Sequence, residues 1–129
     1  MRKLIPLFCA IVLSPLLAIA GEAFPEIEHG ALIQAVEAEE VVVLDVNGTK
    51  SFEKGHIPGA IDYIAVKGEL AKVLPEDKST LIVAYCGSEK CGAYAKAAKA
   101  AKDLGYTNVK HYKPGIAGWK KQNAPLESS

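Results

Sequence analysis

The chain has 129 residues, half of them apolar, and its 15 basic and 15 acidic side chains cancel at neutral pH. That length suits one compact domain behind a short leader and leaves too little for two domains of ordinary size. With no basic surplus and no cationic amphipathic stretch, the composition argues against nucleic acid and lipid head groups as partners.

Residues 1–20 read as a secretory signal. Arg2 and Lys3 open it, Leu4 to Leu17 is apolar apart from Pro6, Ser14 and Pro15, and Ala18-Ile19-Ala20 offers the small residues a signal peptidase reads. The run is too short and too broken for a membrane span of about 20 residues; a retained N-terminal anchor is the alternative. Cys9 lacks a lipoprotein-type setting and leaves with the signal. Cleavage after Ala20 gives a domain over residues 21–129 with 13 basic and 15 acidic side chains. The expected location is the periplasm or the outside of the cell, with no membrane contact once the signal is gone.

Within 21–129 the patterns alternate. Glu28 to Glu39 has apolar residues near helical spacing. Val41 to Val46 is a continuous β-branched run, as in a strand buried on both faces, and Asn47-Gly48 ends it. Gly55-His56-Ile57-Pro58-Gly59-Ala60 reads as a bend feeding a short strand, Ala60 to Ile64, and Glu69 to Leu74 as a brief helix closed by Pro75. Leu81 to Tyr85 is a second buried strand. Ala93 to Leu104 is rich in the helix formers Ala and Lys and is stopped by Gly105. Val109 to Tyr112 is a last strand and Gly115 to Lys121 a terminal helix. The alternation predicts an α/β fold with a mainly parallel central sheet flanked by helices. No repeat, linker or low-complexity segment interrupts it.

Two cysteines remain after cleavage, Cys86 and Cys91, in a compartment where disulfides persist. A bridge between them closes so small a loop that it constrains the unfolded chain by only about 2 kcal/mol, so the pair is better suited to chemistry than to scaffolding. Cys86 directly follows a buried strand, where open α/β sheets bind ligands. The segment Gly87, Ser88, Glu89, Lys90, Cys91, Gly92 has glycines and small residues that let amides turn inward as an anion nest, and the next helix adds the positive end of its dipole. Lys90 adds a cation. Each of these is expected to lower the Cys86 thiol pKa and to hold a persulfide or another sulfur anion. The alternative is a buried, inert cysteine.

Leu44-Asp45-Val46, Phe52 and Gly55-His56-Ile57-Pro58-Gly59-Ala60 resemble the first signature of the rhodanese-like family. Ile82 to Cys86, the Ala-rich helix, Leu104-Gly105-Tyr106-Thr107-Asn108-Val109 and Pro114-Gly115-Ile116-Ala117-Gly118-Trp119 resemble the rest, in order and over nearly the whole domain. The resemblance implies the three-layer rhodanese-like fold and a sulfurtransferase. Cys86 takes sulfane sulfur from a small donor (polysulfide, thiosulfate or a persulfide) and passes it to a thiol, another small nucleophile or a protein cysteine. No metal or organic cofactor is implied.

The sequence also departs from that family. Where many members have an arginine five residues after the nucleophile, Cys91 stands here. The loop is longer by about two residues, as in an exported subset with a second loop cysteine, judged against the family pattern. Asp45-Val46-Asn47 replaces Asp-Val-Arg, and Ser51 stands where an acid often precedes the Phe. Without the bidentate arginine, phosphatase chemistry is disfavoured and thiosulfate becomes a poorer donor. Cys91 reads as a resolving thiol, which makes a thiol–disulfide or sulfur-relay protein the second hypothesis; a protective bridge is the plainer view. A non-catalytic binding or delivery module is the third. No zinc spacing is present. Asp45 is a candidate for orienting loop amides, and His56 for fixing its bend. His29 and His111 are expected at the surface or an edge, Trp119 in the core, and Tyr85 and Tyr94 at the rim of the loop.

Overall fold

The computed structural model describes residues 24–129; the signal reading of residues 1–20, Cys9 included, lies outside the described residues. Four strands, β1 (Val41–Asp45), β2 (Ile61–Asp62), β3 (Leu81–Tyr85) and β4 (Val109–His111), make one parallel sheet in the order β2-β1-β3-β4. The two long apolar runs pair at its centre, in register from Val41 with Leu81 to Asp45 with Tyr85.

Side chains alternate between the faces of the sheet. Leu44, Ile82, Ala84 and Val109 enter one half of the core, and Val43, Val83 and Tyr85 the other. The helices are α1 (His29–Glu37), α2 (Thr49–Lys54), α3 (Tyr63–Val66), α4 (Leu70–Val73), α5 (Tyr94–Asp103) and α6 (Gly115–Lys121). Tyr63, Leu70 and the α5 residues Ala97, Ala98 and Ala101 cover the first face; Leu32 of α1 and Trp119 of α6 cover the second. Burial on both faces explains why the central strands are apolar at successive positions. The three buried alanines let α5 lie close on the sheet, while Lys96, Lys99 and Lys102 face outward. Trp119 is a core residue whose indole N–H donates to the Pro125 carbonyl at 2.6 Å.

Three elements differ from the sequence expectation. The short strand stops at Asp62 instead of Ile64, because the Asp62 carboxylate accepts the Ile64 and Ala65 amides and starts α3. The helix expected over Glu69 to Leu74 is a 3₁₀ turn, Lys67–Glu69, followed by one α-turn. Helix α2 had no signal: Phe52 is the only apolar residue in its six, too few to show a period.

From β1 the chain crosses to β2 on one side and returns to β3 on the other. The carboxyl ends of β1 and β3 therefore border the switch-point crevice, and Cys86 is the first residue beyond β3. A buried polar network ties these ends together. The Tyr85 hydroxyl donates to Asp45 at 2.5 Å and accepts the Ile57 amide at 3.1 Å, and Asp45 also takes the Asn47 amide at 2.8 Å. Burial raises the Asp45 pKa, against the opposing pull of the Tyr85 and Asn47 hydrogen bonds. Ionising Asp45 thus costs the fold stability: its contribution is full below the unfolded-state pKa and falls as pH rises through the folded one.

Tyr85→Phe strips Asp45 of a donor and leaves the buried Ile57 amide without its acceptor. The expected loss is about 2 kcal/mol in urea unfolding. It should be smaller in mild acid than at neutral pH, because the ionised carboxylate needs the hydroxyl most.

Candidate active site

Strand β3 is buried from Ile82 to its end and carries Cys86 to the carboxyl edge of the sheet with 1% of its surface exposed. Helix α5 begins eight residues later. Its N-cap, Ala93, has no side-chain oxygen with which to satisfy the first amides. The Cys86 sulfur takes that role, accepting the Tyr94 N–H at 2.9 Å. A sulfur so placed sits at the positive end of the α5 dipole.

Cys91 returns from the loop to the same place. It is half-buried, its thiol meets that of Cys86, and the amides of Ala93, Gly87 and Tyr94 turn toward it. Both cysteines are free thiols. Two sulfurs thus share one set of donors, and only one can ionise easily. Burial, then the contact with Cys91, pushes the Cys86 thiol up to about 12, although the Tyr94 amide opposes this. Cys91 goes the other way: burial raises it, but the Cys86 hydrogen bond and the three amides outweigh burial and bring it down. The expectation of a lowered Cys86 pKa is therefore corrected for the dithiol state. The cradle is present, but it favours ionisation of the more exposed sulfur.

The donors on the sulfurs come from the ends of the loop. Ser88, Glu89 and Lys90 are exposed, with the Cys91 amide bonded back to the Ser88 carbonyl at 3.1 Å; Gly92 is also exposed, and its carbonyl takes the Ala95 amide at 3.2 Å. Lys90 is not what shifts Cys91; Cys86 and the amides do that. Beside the loop, a depression of about 450 Å³ opens between Ser88, Lys90 and the α6 residues Gly118 and Lys121.

Helix α6 fixes the start of the loop. The Ile116 amide donates to the Cys86 carbonyl at 2.9 Å and the Ala117 amide to the Gly87 carbonyl at 3.0 Å. Gly115, at φ +63°, makes this approach feasible, since a Cβ there would lie 2.5 Å from the Cys86 carbonyl oxygen. On the other side, the Tyr94 ring stacks on His111 with centroids 3.3 Å apart and meets Phe24 edge-on. His111 is 7% exposed, not a surface residue, and burial lowers its pKa, as Lys113 does, against the pull of Glu26. It is held neutral at neutral pH, as a flat support for the residue whose amide caps Cys86. His29 is half-buried and bonds the Tyr112 hydroxyl at 2.7 Å.

Asp45 and His56 lie close to this region in sequence logic but serve the scaffold. Asp45 bonds Tyr85 and Asn47 in place of the loop amides expected of it. The His56 Nδ1–H donates to the Phe52 carbonyl at 2.6 Å, the ring stacks on Phe52, and Nε2 lies 3.7 Å from Glu127. His56 thus pins its bend to the C-terminal segment. Among the described residues, no cluster of three or more His, Cys, Asp or Glu side chains could hold a metal ion, and no helix is long and apolar enough to cross a membrane.

Sequence reasoning missed the roles of Ala93, His111 and Gly115. A signal existed for one of them: in the Pro114-Gly115 pair, the glycine opens a helix where a left-handed residue must be Gly. The His111–Tyr94 stack joins residues 17 apart in sequence and no local pattern reveals it.

Residues 28–122 match the rhodanese-like domain family. The chain is 32% identical over 110 residues to an HTH-type transcriptional regulator of Mycobacterium tuberculosis, covering 84% of this chain and 47% of the regulator. It is 29% identical over 101 residues to a putative sulfur carrier protein of Bacillus subtilis (77% of this chain, 52% of the carrier). It is 27% identical over 101 residues to a thiosulfate sulfurtransferase of Pseudoalteromonas translucida (76% of this chain, 90% of that enzyme). The chain therefore spans about half the length of the first two of these relatives. Among solved structures, a Bacillus halodurans protein superposes with TM-score 0.64 at 26% identity, over 81% of this chain and 77% of the other.

The division of charge between the thiols can be checked by alkylation. In the reduced protein at neutral pH, iodoacetamide should label Cys91 at least about tenfold faster than Cys86 by peptide mass mapping. Labelling of Cys91 should also persist to lower pH than that of a free cysteine, because its thiolate is stabilised.

Proposed function

The chain belongs to the rhodanese-like domain family, and from that membership we propose that it is a sulfurtransferase that carries sulfane sulfur as a persulfide on Cys86. The observation that carries this reading is the Tyr94 amide on the Cys86 sulfur at 2.9 Å, at the N-terminus of a ten-residue helix. A negative sulfur there gains a hydrogen bond and the end of a dipole at no cost in reorganisation.

Of the two thiols, Cys91 gives up its proton the more readily, and it is the ionised Cys91 that receives the proton of Cys86. On loading, the Cys86 sulfur attacks the sulfane sulfur of the donor, its proton passes to the Cys91 thiolate, and the donor leaves as a thiolate. In transfer, an acceptor thiolate takes the outer sulfur and Cys86 is released. Polysulfides and thiol persulfides fit best as donors. Thiosulfate is a dianion, and Cys91 stands where a guanidinium would pair with it. Lys90 and Lys121 line the depression beside the loop together with Glu89, and the two lysines suit an anionic donor. A small thiol or a protein cysteine completes the reaction as acceptor. The signal pattern over residues 1–20 supports action in the periplasm or outside the cell.

With a thiol persulfide as donor and an excess of dithiol acceptor, Cys86→Ser should lower the rate of sulfane-sulfur consumption by about a thousandfold. Wild-type turnover in this variant, with its fold intact by circular dichroism, would overturn the proposal.

A further inference from the structure

The second cysteine does more in this geometry than accept a proton. We propose that Cys91 discharges the Cys86 persulfide, displacing the carried sulfur as hydrosulfide and closing a Cys86–Cys91 disulfide. This rests on the reading that Cys86 carries the sulfane sulfur.

The position of attack decides the product. An acceptor that approaches from outside meets the outer sulfur of a persulfide and takes it away, leaving a thiol. Cys91 instead lies on the side of the Cys86 γ-sulfur itself: the Cys91 amide turns back onto the Ser88 carbonyl at 3.1 Å, the Tyr94 amide holds the Cys86 sulfur at 2.9 Å, and the two thiols hydrogen-bond to each other. The Cys86 γ-sulfur is the inner sulfur of the persulfide. Attack on it forms the bond between the two γ-sulfurs and breaks the bond to the sulfane sulfur. Hydrosulfide is a weaker base than an alkyl thiolate and leaves more readily.

The cradle supports the same step. The amides of Gly87, Ala93 and Tyr94 turn toward Cys91 and stabilise its sulfur as an anion, the form that attacks. Because both cysteines lie on one loop, the attack is intramolecular and outruns a dilute external thiol. The Gly115 approach and the Ile116 and Ala117 amides hold the Cys86 end, so the exposed turn over residues 88–90 is the part with room to adjust.

The step balances within the protein. The Cys91 proton first moves to the outer sulfur of the Cys86 persulfide; the Cys91 thiolate then attacks the inner sulfur, forms the disulfide and releases hydrosulfide, which carries that proton away. The sulfane sulfur gains two electrons and the two cysteine sulfurs lose them. An external dithiol then exchanges with the disulfide, is itself oxidised to a disulfide, and restores both thiols. Net turnover reduces sulfane sulfur to sulfide at the expense of a dithiol.

The test uses reduced wild type, Cys91→Ser, Cys91→Ala and Cys86→Ser, each given one equivalent of glutathione persulfide, with intact mass and released sulfide followed in time. The expected wild-type result is one sulfide released per chain with loss of two hydrogens. Both Cys91 variants should gain and keep one sulfur atom, with sulfide release at least about tenfold slower, and Cys86→Ser should gain none. A wild-type persulfide as long-lived as that of Cys91→Ser would overturn the discharge role and leave the sulfurtransferase reading standing. Sulfur held by Cys86→Ser but by neither Cys91 variant would reverse the roles and overturn the assignment. Failure of every form to gain sulfur or release sulfide would remove the sulfurtransferase reading and this inference together.

Discussion

The chemistry of this protein depends on which way one peptide unit faces. The Cys86 carbonyl is held by the Ile116 amide of α6 at 2.9 Å. A trans peptide sets its C=O and N–H on opposite sides, so the Gly87 amide is turned the other way, toward the Cys91 sulfur. The Ala117 amide repeats the constraint on the next carbonyl. Gly115 is what allows α6 so near, since any Cβ there would overlap the Cys86 carbonyl oxygen and the backbone of Gly87 and Ser88. A helix at the end of the chain thus orients a loop that starts some thirty residues earlier.

A second consequence is that this loop can hold one negative charge but not two. The Tyr94 and Ala93 amides act on both sulfurs, and each sulfur feels the other. Stabilising an anion at one thiol therefore keeps the proton on its neighbour. Composition and spacing assign the cradle to Cys86, because amide nests and helix dipoles can be read from glycines and helix formers. Competition for those donors cannot be read from spacing alone. It depends on whether residue 91 reaches back over residue 86, and the Ser88-to-Cys91 turn makes it do so.

Much of the fold was legible for one physical reason: a strand covered on both faces must be apolar throughout, and a helix packed closely on it must be small on one side. Residues 41–44, Leu81–Tyr85 and the alanines of α5 obey that rule, and their elements lie near the bounds the pattern gives. Helix α2 and the early stop of β2 escaped because side-chain hydrogen bonds and a single aromatic govern them, not periodicity. His111 does lie on an edge strand, β4, as expected, yet it is buried. Its burial comes from α5 and from the segment at Pro25–Ile27, whose backbone pairs with it across more than eighty residues.

The polar residues therefore divide into two sets that sequence alone presents as one. Asp45, Tyr85, His56 and Asp62 are buried, hydrogen-bonded and clustered at the carboxyl ends of β1, β2 and β3, yet their partners are one another, the bends and the helix starts. None of their bonds goes to a sulfur. The loop from Cys86 to Ala93 makes its own electrostatics from backbone amides, anchored by α5 behind and α6 beside it. No partner in that buried network depends on the side chain at position 91, so a cysteine there leaves none of its members unpaired. What changes is the second atom in the cradle: a fixed cation there favours binding a dianion, whereas a thiol there can itself form and break bonds to sulfur.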